Sequence, residues 1–272
     1  MKKLSFLCLI LILSVGGFTT CKKDNGVAPV LPPVESLTID FSNFTSLKKS
    51  GNFLPDPKGT NNTFWTQASD IALLWNSIIT TKLAIPIASF KLAMDQDPVF
   101  LSNKTWQWSY SVTPADVTYK ARLTGQIGST EVKWTMYVTR EGTGGFPEFV
   151  WFTGTSKLDG TSGQWIFNQS SSVPEALLQI DWTKSGTSIG SVKYTYVKSN
   201  DSFTNSYVEY GLTTSARNAY YNIHYWNGTK FSDFNVEWNT TTKEGRLKSS
   251  DYLQGVWYCW DSNKINLETC PS

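Results

Sequence analysis

The sequence predicts a mainly β protein in which a long antiparallel meander, preceded by two short helices, curls into a half-open barrel or a sandwich. Beyond Lys104 the hydrophobic pattern has a period of two almost to the end of the chain, and short turn signals separate the alternating runs. Each run has one polar and one apolar face, as in antiparallel sheets. A helical pattern between Phe64 and Met94 places the helices before the sheet.

The helical segment carries two apolar stripes. In each stripe the residues recur at steps of three and four: Phe64, Ala68, Ile71, Trp75 and Ile78 in the first, and Leu83, Ile87, Phe90 and Met94 in the second. Proline is tolerated in the first turn of a helix but not in its interior, so Pro86 predicts a break between the stripes. We therefore expect two helices, near residues 64–79 and 83–95, that pack against the sheet. The alternative is a partner-binding helix.

Ten to twelve strands are expected after the helices. The alternating runs fall at residues 106–112, 117–124, 132–138, 148–156, 163–169, 177–183, 191–198, 206–213, 219–226, 231–238 and 244–249. Hairpin signals stand between runs at Gly128-Ser129, Asp159-Gly160 and Asn227-Gly228. A single flat sheet of this size is unusual, which favours a curled sheet. Helices before such a meander resemble the half-barrel of periplasmic lipoprotein carriers, although no residue motif of that family is found.

The N-terminus has the features of a secretory signal. Met1, Lys2 and Lys3 form a positive start, and the apolar segment from Leu4 to Phe18 is shorter than the roughly 20 residues of a membrane-spanning helix. The following residues, Thr20-Cys21-Lys22-Lys23-Asp24, resemble the loose lipobox of Bacteroidota lipoproteins. This resemblance implies cleavage after residue 20, a lipid on Cys21, and attachment to the outer membrane on its periplasmic or surface side. Cleavage near Thr19 or Thr20 without lipidation is the alternative.

The resemblance covers the first 25 residues and leaves the rest of the chain to be interpreted from its residues. Residues 21–38 are rich in proline, glycine and charge, which predicts a flexible tether. Residues 39–272 then form a single mainly β domain. Cys8 leaves with the signal, so Cys259 and Cys270 are left to form a disulfide across a final hairpin, as expected in an exported protein.

Charge and metal chemistry narrow the classes of function. The chain has 24 basic and 22 acidic residues, and loss of Lys2 and Lys3 with the signal leaves 22 of each. A neutral protein lacks the basic surface that binds nucleic acid, so the expected membrane association depends on the N-terminal lipid. The sequence has one histidine, His224, and the cysteine spacing does not suit zinc. We expect neither a metal nor a cofactor, and a solvent-facing His224.

Catalytic motifs are missing, but a hydrolase that uses two carboxylates needs none. The strand-associated carboxylates are Glu131, Glu148, Asp181, Glu209 and Glu237. Aromatic residues make up 14% of the chain, and some fall outside the dry register of the strands. The candidates for stacking on a ligand are Tyr220, Trp226, Trp257 and Trp260. The leading hypothesis is therefore non-catalytic binding of a glycan or a lipid-like ligand. The alternatives are a structural or partner-binding envelope protein and a carboxylate-dependent glycoside hydrolase.

Overall fold

Thirteen antiparallel strands form one open sheet, and each strand pairs only with its neighbours in sequence. The computed structural model describes residues 25–44, 63–113, 117–251 and 255–271, so the signal segment and Cys21 lie outside the described residues. The strands are β1 Val99–Ser102, β2 Thr105–Val112, β3 Thr118–Ile127, β4 Glu131–Glu141, β5 Phe146–Lys157, β6 Ser162–Asn168, β7 Ala176–Ser185, β8 Ser188–Tyr196, β9 Tyr207–Leu212, β10 Ala219–Trp226, β11 Phe231–Trp238, β12 Gly245–Ser249 and β13 Tyr258–Trp260. The predicted mainly β meander is confirmed.

The two faces of the sheet differ sharply in chemistry, as two adjacent rows of cross-strand partners show. One row is polar from β2 to β12: Thr105, Gln126, Lys133, Thr155, Gln164, Asp181, Lys193, Glu209, Asn222, Asn235 and Lys248. The other is mostly apolar: Trp106, Gly125, Trp134, Gly154, Trp165, Ile180, Tyr194, Val208, Ile223, Phe234 and Ser249. We call the apolar side the covered face and the polar side the open face.

One α-helix among the described residues, α1 Phe64–Met94, lies on the covered face. Its N-cap is Thr63, whose side-chain oxygen accepts a hydrogen bond from the Thr66 amide. The expectation of two helices is wrong, because the helix continues through Pro86. Pro86 is itself buried, and Leu83 and Phe90 on either side of it are also buried. Packing against the sheet therefore offsets the roughly 3 kcal/mol that an internal proline costs.

The helix crosses the strands, which explains why the sheet stays open. Its 31 residues span about 46 Å, and the eleven strand spacings from β2 to β13 span about 53 Å. The Phe64 ring lies 4.9 Å from Tyr258 on β13, and Phe90 near the other end lies 5.5 Å from Trp165 on β6. The predicted curling into a half-open barrel or sandwich is wrong. The helix covers the apolar face, so the sheet does not need to close on itself.

Residues 34–44 run beside α1 on the same face, as two 3-10 turns at Val34–Leu37 and Ser42–Phe44. Three side chains of the sheet hold this segment. The Trp165 indole N–H donates to Ser36 Oγ at 3.1 Å. The hydroxyls of Tyr194 and Tyr221 donate to the backbone oxygens of Leu37 and Asp40, each at 2.5 Å. The folded body thus begins before residue 39, inside the segment predicted as a tether.

The edge of the sheet at β13 pairs with the residues that follow it. The chain turns back after β13, so that Asn266 forms an isolated antiparallel β-bridge with Trp260 and the Leu267 amide donates to the Cys259 carbonyl. The predicted disulfide joins Cys259 to Cys270, with 5.2 Å between the Cα atoms.

By length and composition, α1 is apolar enough to cross a membrane. Helices that are packed in the core of a protein pass the same test.

Candidate functional site

All four predicted stacking residues contact other side chains, Trp226 through an edge-on contact with Phe231 at 5.4 Å. Two of them, Tyr220 and Trp260, are packed within the sheet. The Tyr220 ring lies on Gly211 of β9, where a methyl group on the glycine Cα would stand 2.4 Å from the ring, and its hydroxyl donates to Glu209 at 3.2 Å. Trp260 is 1% exposed, and its indole N–H donates to the Lys243 carbonyl at 2.8 Å. Trp260 therefore belongs to the core, and the buried face of Tyr220 serves the packing of the sheet.

Trp257 lies beside two cations. The guanidinium of Arg246 is 4.2 Å from its ring centre and the ammonium of Lys248 is 4.9 Å away. Arg246 also forms an ion pair with Glu237 at 2.7 Å. This cation–π cluster accounts for Trp257 without a ligand.

His224 sits in a row of parallel rings on the open face, where the sequence places it. Its ring stacks on Tyr207 at 5.5 Å and on Phe231 at 4.5 Å, with interplanar angles of 20° and 9°. At the Tyr207 end of the row, the ammonium of Lys193 lies 3.9 Å from the centre of the Tyr207 ring. Since these rings use their faces on one another, they present mainly their edges to solvent. The row is a poor platform for sugar rings, which stack on exposed faces.

The fourth candidate, Trp226, lines a cavity. The cavity has a volume of about 480 Å³ and lies between the middle of α1 and the ends of β8, β9 and β10. Its walls are mostly apolar and aromatic: Leu74, Trp75, Ile78, Tyr196, Phe203, Ser206, Tyr225, Trp226, Asn227 and Gly228. We call it the Trp226 pocket. Its volume lies in the range of pockets that hold one small molecule.

Local hydrogen bonds fix both loops at the rim of the Trp226 pocket. In the β10–β11 turn, Asn227 Oδ1 accepts from the amides of Thr229 and Lys230, and Gly228 has a φ of 100°. In the β8–β9 loop, Asp201 accepts from the Phe203 amide at 2.9 Å. The rim is therefore preformed.

Phe203 is held at this rim with 51% of its surface exposed. Asp201 also accepts from the Tyr196 hydroxyl at 2.9 Å, and the Tyr196 and Phe203 rings lie 6.4 Å apart. Contact of the Phe203 ring with an apolar ligand would remove apolar surface from water.

The pocket wall carries no charge at neutral pH. Burial, with the nearby charge of Asp201, raises the pKa of Tyr196 to about 12. Burial, with the charge of Asp251, raises the pKa of Tyr225 to about 12. Both phenols stay protonated under physiological conditions, so the pocket suits a ligand with an apolar body.

Four of the five carboxylates considered for hydrolysis, Glu148, Asp181, Glu209 and Glu237, have partners of their own. Glu148 binds Arg122 through two hydrogen bonds of 2.7 Å, and the arginine lowers the pKa of Glu148. Asp181 accepts from the amides of Gln164 and Gln179 at 2.7 and 2.8 Å. These carboxylates do not line the Trp226 pocket. Within the described ranges, histidine, cysteine and carboxylate side chains form no group of three suited to a metal.

Most residues of the Trp226 pocket are not identified as a binding site by the sequence alone. Trp75 appears there only as part of a core stripe, and Tyr196 as one residue of a strand. Phe203 offers one usable signal, a single phenylalanine in the polar stretch Asn200-Asp201-Ser202-Phe203-Thr204-Asn205. The pocket forms where a helix and two separate hairpins meet, which no local pattern reveals.

Comparison of the chain with protein-family models, with curated proteins and with solved structures gives no match.

Proposed function

We propose that this protein binds a small, lipid-like molecule in the Trp226 pocket and has no catalytic role. The observation that carries the proposal is the pocket itself, a half-enclosed cavity of about 480 Å³ with apolar and aromatic walls. Small-molecule sites are concave and mostly apolar, with few polar groups. Burial of an apolar ligand gains about 25 cal/mol per Å² of surface removed from water.

Between the two ligand classes expected from the sequence, the geometry favours the lipid-like one. A glycan site needs aromatic faces open to sugar rings, with polar groups around them. Trp257 lies against Arg246 and Lys248, and the row at His224 presents ring edges. Trp226 instead contributes to an apolar cavity that would exclude water from its ligand.

We also propose that the protein acts at the outer membrane, where a lipid on Cys21 would hold it. The support is the resemblance of residues 20–24 to a lipoprotein signal. Intact mass of the native protein beside a Cys21→Ala variant, both produced in a bacterium with lipoprotein processing, tests this location. Wild type should gain the mass of acyl chains and the variant should not. An unacylated wild-type protein would contradict it.

A titration with N-phenyl-1-naphthylamine, a neutral apolar dye that fluoresces in apolar sites, tests the binding function. The wild-type protein should bind one dye molecule with saturation. Trp226→Ala removes a wall of the pocket and should weaken binding at least fivefold. Trp257→Ala is the matched control, because it removes the same side chain from the cation–π cluster outside the pocket, and it should leave binding unchanged.

A variant that fills the cavity gives a second test. Ile78 lines the pocket from α1, so Ile78→Trp places a larger side chain in the space that the dye would use. It should abolish saturable binding while circular dichroism shows an unchanged fold. No saturable binding to wild type, or equal losses in Trp226→Ala and Trp257→Ala, would refute the proposed function and favour an envelope protein without a small ligand.

A further inference from the structure

We infer that the ligand of the Trp226 pocket carries a neutral hydrogen-bond acceptor, such as an ester, ketone or alcohol oxygen, which the hydroxyls of Ser206 and Tyr225 bind. This inference rests on the proposed function and narrows the ligand class. Two hydroxyl groups on the apolar wall, those of Ser206 and Tyr225, donate to no described residue.

Ser206 lies inside the pocket rather than at its rim, with 3% of its surface exposed. Its Oγ accepts a hydrogen bond from the Trp226 amide at 3.1 Å. Among the described residues, nothing accepts the proton of this hydroxyl. A buried hydroxyl without an acceptor costs free energy, which a ligand oxygen would recover.

Tyr225 stands beside Ser206. His224 pairs with Tyr207 in the β9–β10 ladder, and continuing this register places Tyr225 opposite Ser206 on the covered face. Side chains directly opposite each other in an antiparallel pair have Cβ atoms about 5 Å apart. Tyr225 is 7% exposed. Its ring packs against Phe234 at 5.8 Å, and its hydroxyl forms no hydrogen bond to another described residue. The two hydroxyls therefore belong to neighbouring residues of the same pocket wall.

Among the other polar side chains of the pocket, Tyr196 and Asn227 already have partners, whereas the buried indole N–H of Trp75 has none among the described residues. The Tyr196 hydroxyl donates to Asp201, and Asn227 Oδ1 already accepts from two backbone amides and the Thr229 hydroxyl. The Asn227 amide nitrogen donates to Ser232 at 2.9 Å. The side-chain donors left for a ligand oxygen are thus the hydroxyls of Ser206 and Tyr225 and the indole N–H of Trp75, all three of which suit an acceptor.

The uncharged wall favours a neutral acceptor over an anion, because no cation among the described residues lines the pocket to pair with a carboxylate. After burial, the charge of Asp251 is the second cause that raises the pKa of Tyr225. A carboxylate bound to the same hydroxyl would meet the same repulsion. Lys230 pairs with Asp251 at 2.8 Å, and its side chain is largely exposed. We expect the ester of an acyl chain to bind better than the free acid.

The test uses three probes that share an eight-carbon chain: octane, methyl octanoate and octanoate. Displacement of N-phenyl-1-naphthylamine from the full chain at pH 7.5 gives their affinities. Methyl octanoate should bind more tightly than octane and octanoate. Tyr225→Phe should weaken methyl octanoate about two- to tenfold, the effect of one hydrogen bond, and leave octane unchanged. Since the Tyr225 hydroxyl has no protein acceptor among described residues, this variant should keep its fold.

Tyr210→Phe is the matched control. Tyr210 is a partly buried tyrosine on neighbouring β9 that does not line the pocket, and its loss should change no affinity. Equal effects of Tyr225→Phe on octane and methyl octanoate, or tighter binding of octanoate than of the ester, would overturn the inference while leaving the proposed function intact. If neither the dye nor any probe binds wild type, the proposed function fails as well.

Discussion

Replacing Gly154 by alanine is expected to destabilise the protein, because the covered face has no room for a methyl group there. Gly154 lies on β5 between Trp134 on β4 and Trp165 on β6. A Cβ at this position would stand 2.2 Å from Trp165 Cε3 and 2.5 Å from the backbone oxygen of Gln164. Ordinary contacts are longer than 3.4 Å, so the ring and the neighbouring strand both have to move.

The Trp165 ring cannot move cheaply. It is fully buried, donates to Ser36 Oγ, and packs edge-on against Phe90 and Phe152 at 5.5 and 5.4 Å. Overpacking of a core costs about 1–3 kcal/mol, and loss of the Ser36 bond adds about 1 kcal/mol. Alanine in place of a glycine in a strand interior stabilises the folded state by about 0.5–1 kcal/mol, because glycine loses more conformational freedom on folding. We expect a net loss of about 2–3 kcal/mol, which lowers the melting temperature of a chain this size by about 4–12 °C.

Thermal unfolding followed by circular dichroism, with urea unfolding as a second measure, gives the change in stability. Gly190→Ala on β8 is the control. Its nearest neighbours would be 3.3 Å from the new Cβ, which is only slightly closer than an ordinary contact, so its cost should be clearly smaller than that of Gly154→Ala. A Gly154→Ala protein as stable as the control would refute the role of the close approach.

A double variant tests whether contact with the Trp165 ring causes the loss of stability in Gly154→Ala. Trp165→Leu is itself destabilising, but it removes the ring that the new methyl group meets. Gly154→Ala should therefore cost less in the Trp165→Leu background than in wild type. Equal costs in the two backgrounds would assign the effect to the Gln164 backbone oxygen instead.

Three further predictions concern other parts of the fold. Tyr194→Phe should lower the free energy of unfolding by about 1–3 kcal/mol, since the buried Leu37 carbonyl loses its donor; a urea midpoint equal to wild type would contradict this. Burial raises the pKa of Asp70 from 3.8, so stability should fall as pH rises above 3.8, and Asp70→Asn should be more stable than wild type at pH 7 but not at pH 3. Replacing both Cys259 and Cys270 by serine should cost about 3 kcal/mol, and a reducing agent should destabilise wild type but not this variant.

Local patterns predicted the strands well, because alternation and turn chemistry act over a few residues. Asn227-Gly228 and Gly128-Ser129 both join adjacent strands as expected. The shortest strands, β1 and β13, were missed because three or four residues carry too little alternation. Pro86 misled the helix prediction, since burial of the surrounding residues outweighs a local rule.

Long-range features were beyond the same patterns. Whether the sheet curls depends on what covers its apolar face, and that depends on how α1 lies across the strands. The aromatic candidates show the same limit. Trp226 and Trp257 look alike in sequence, yet one lines a pocket and the other lies beside Arg246 because of partners on other strands.

The crossing of the strands by α1 has a consequence for how the domain unfolds. Strands that pair only with sequence neighbours close short loops, and such a sheet alone would behave as a row of hairpins that can fray from either end. The helix contacts β13 through Phe64 and contacts β2 and β3 at the other side of the sheet. Loss of either end therefore exposes buried residues of the same helix, which couples the two ends. We expect the folded body to unfold as one cooperative unit rather than strand by strand.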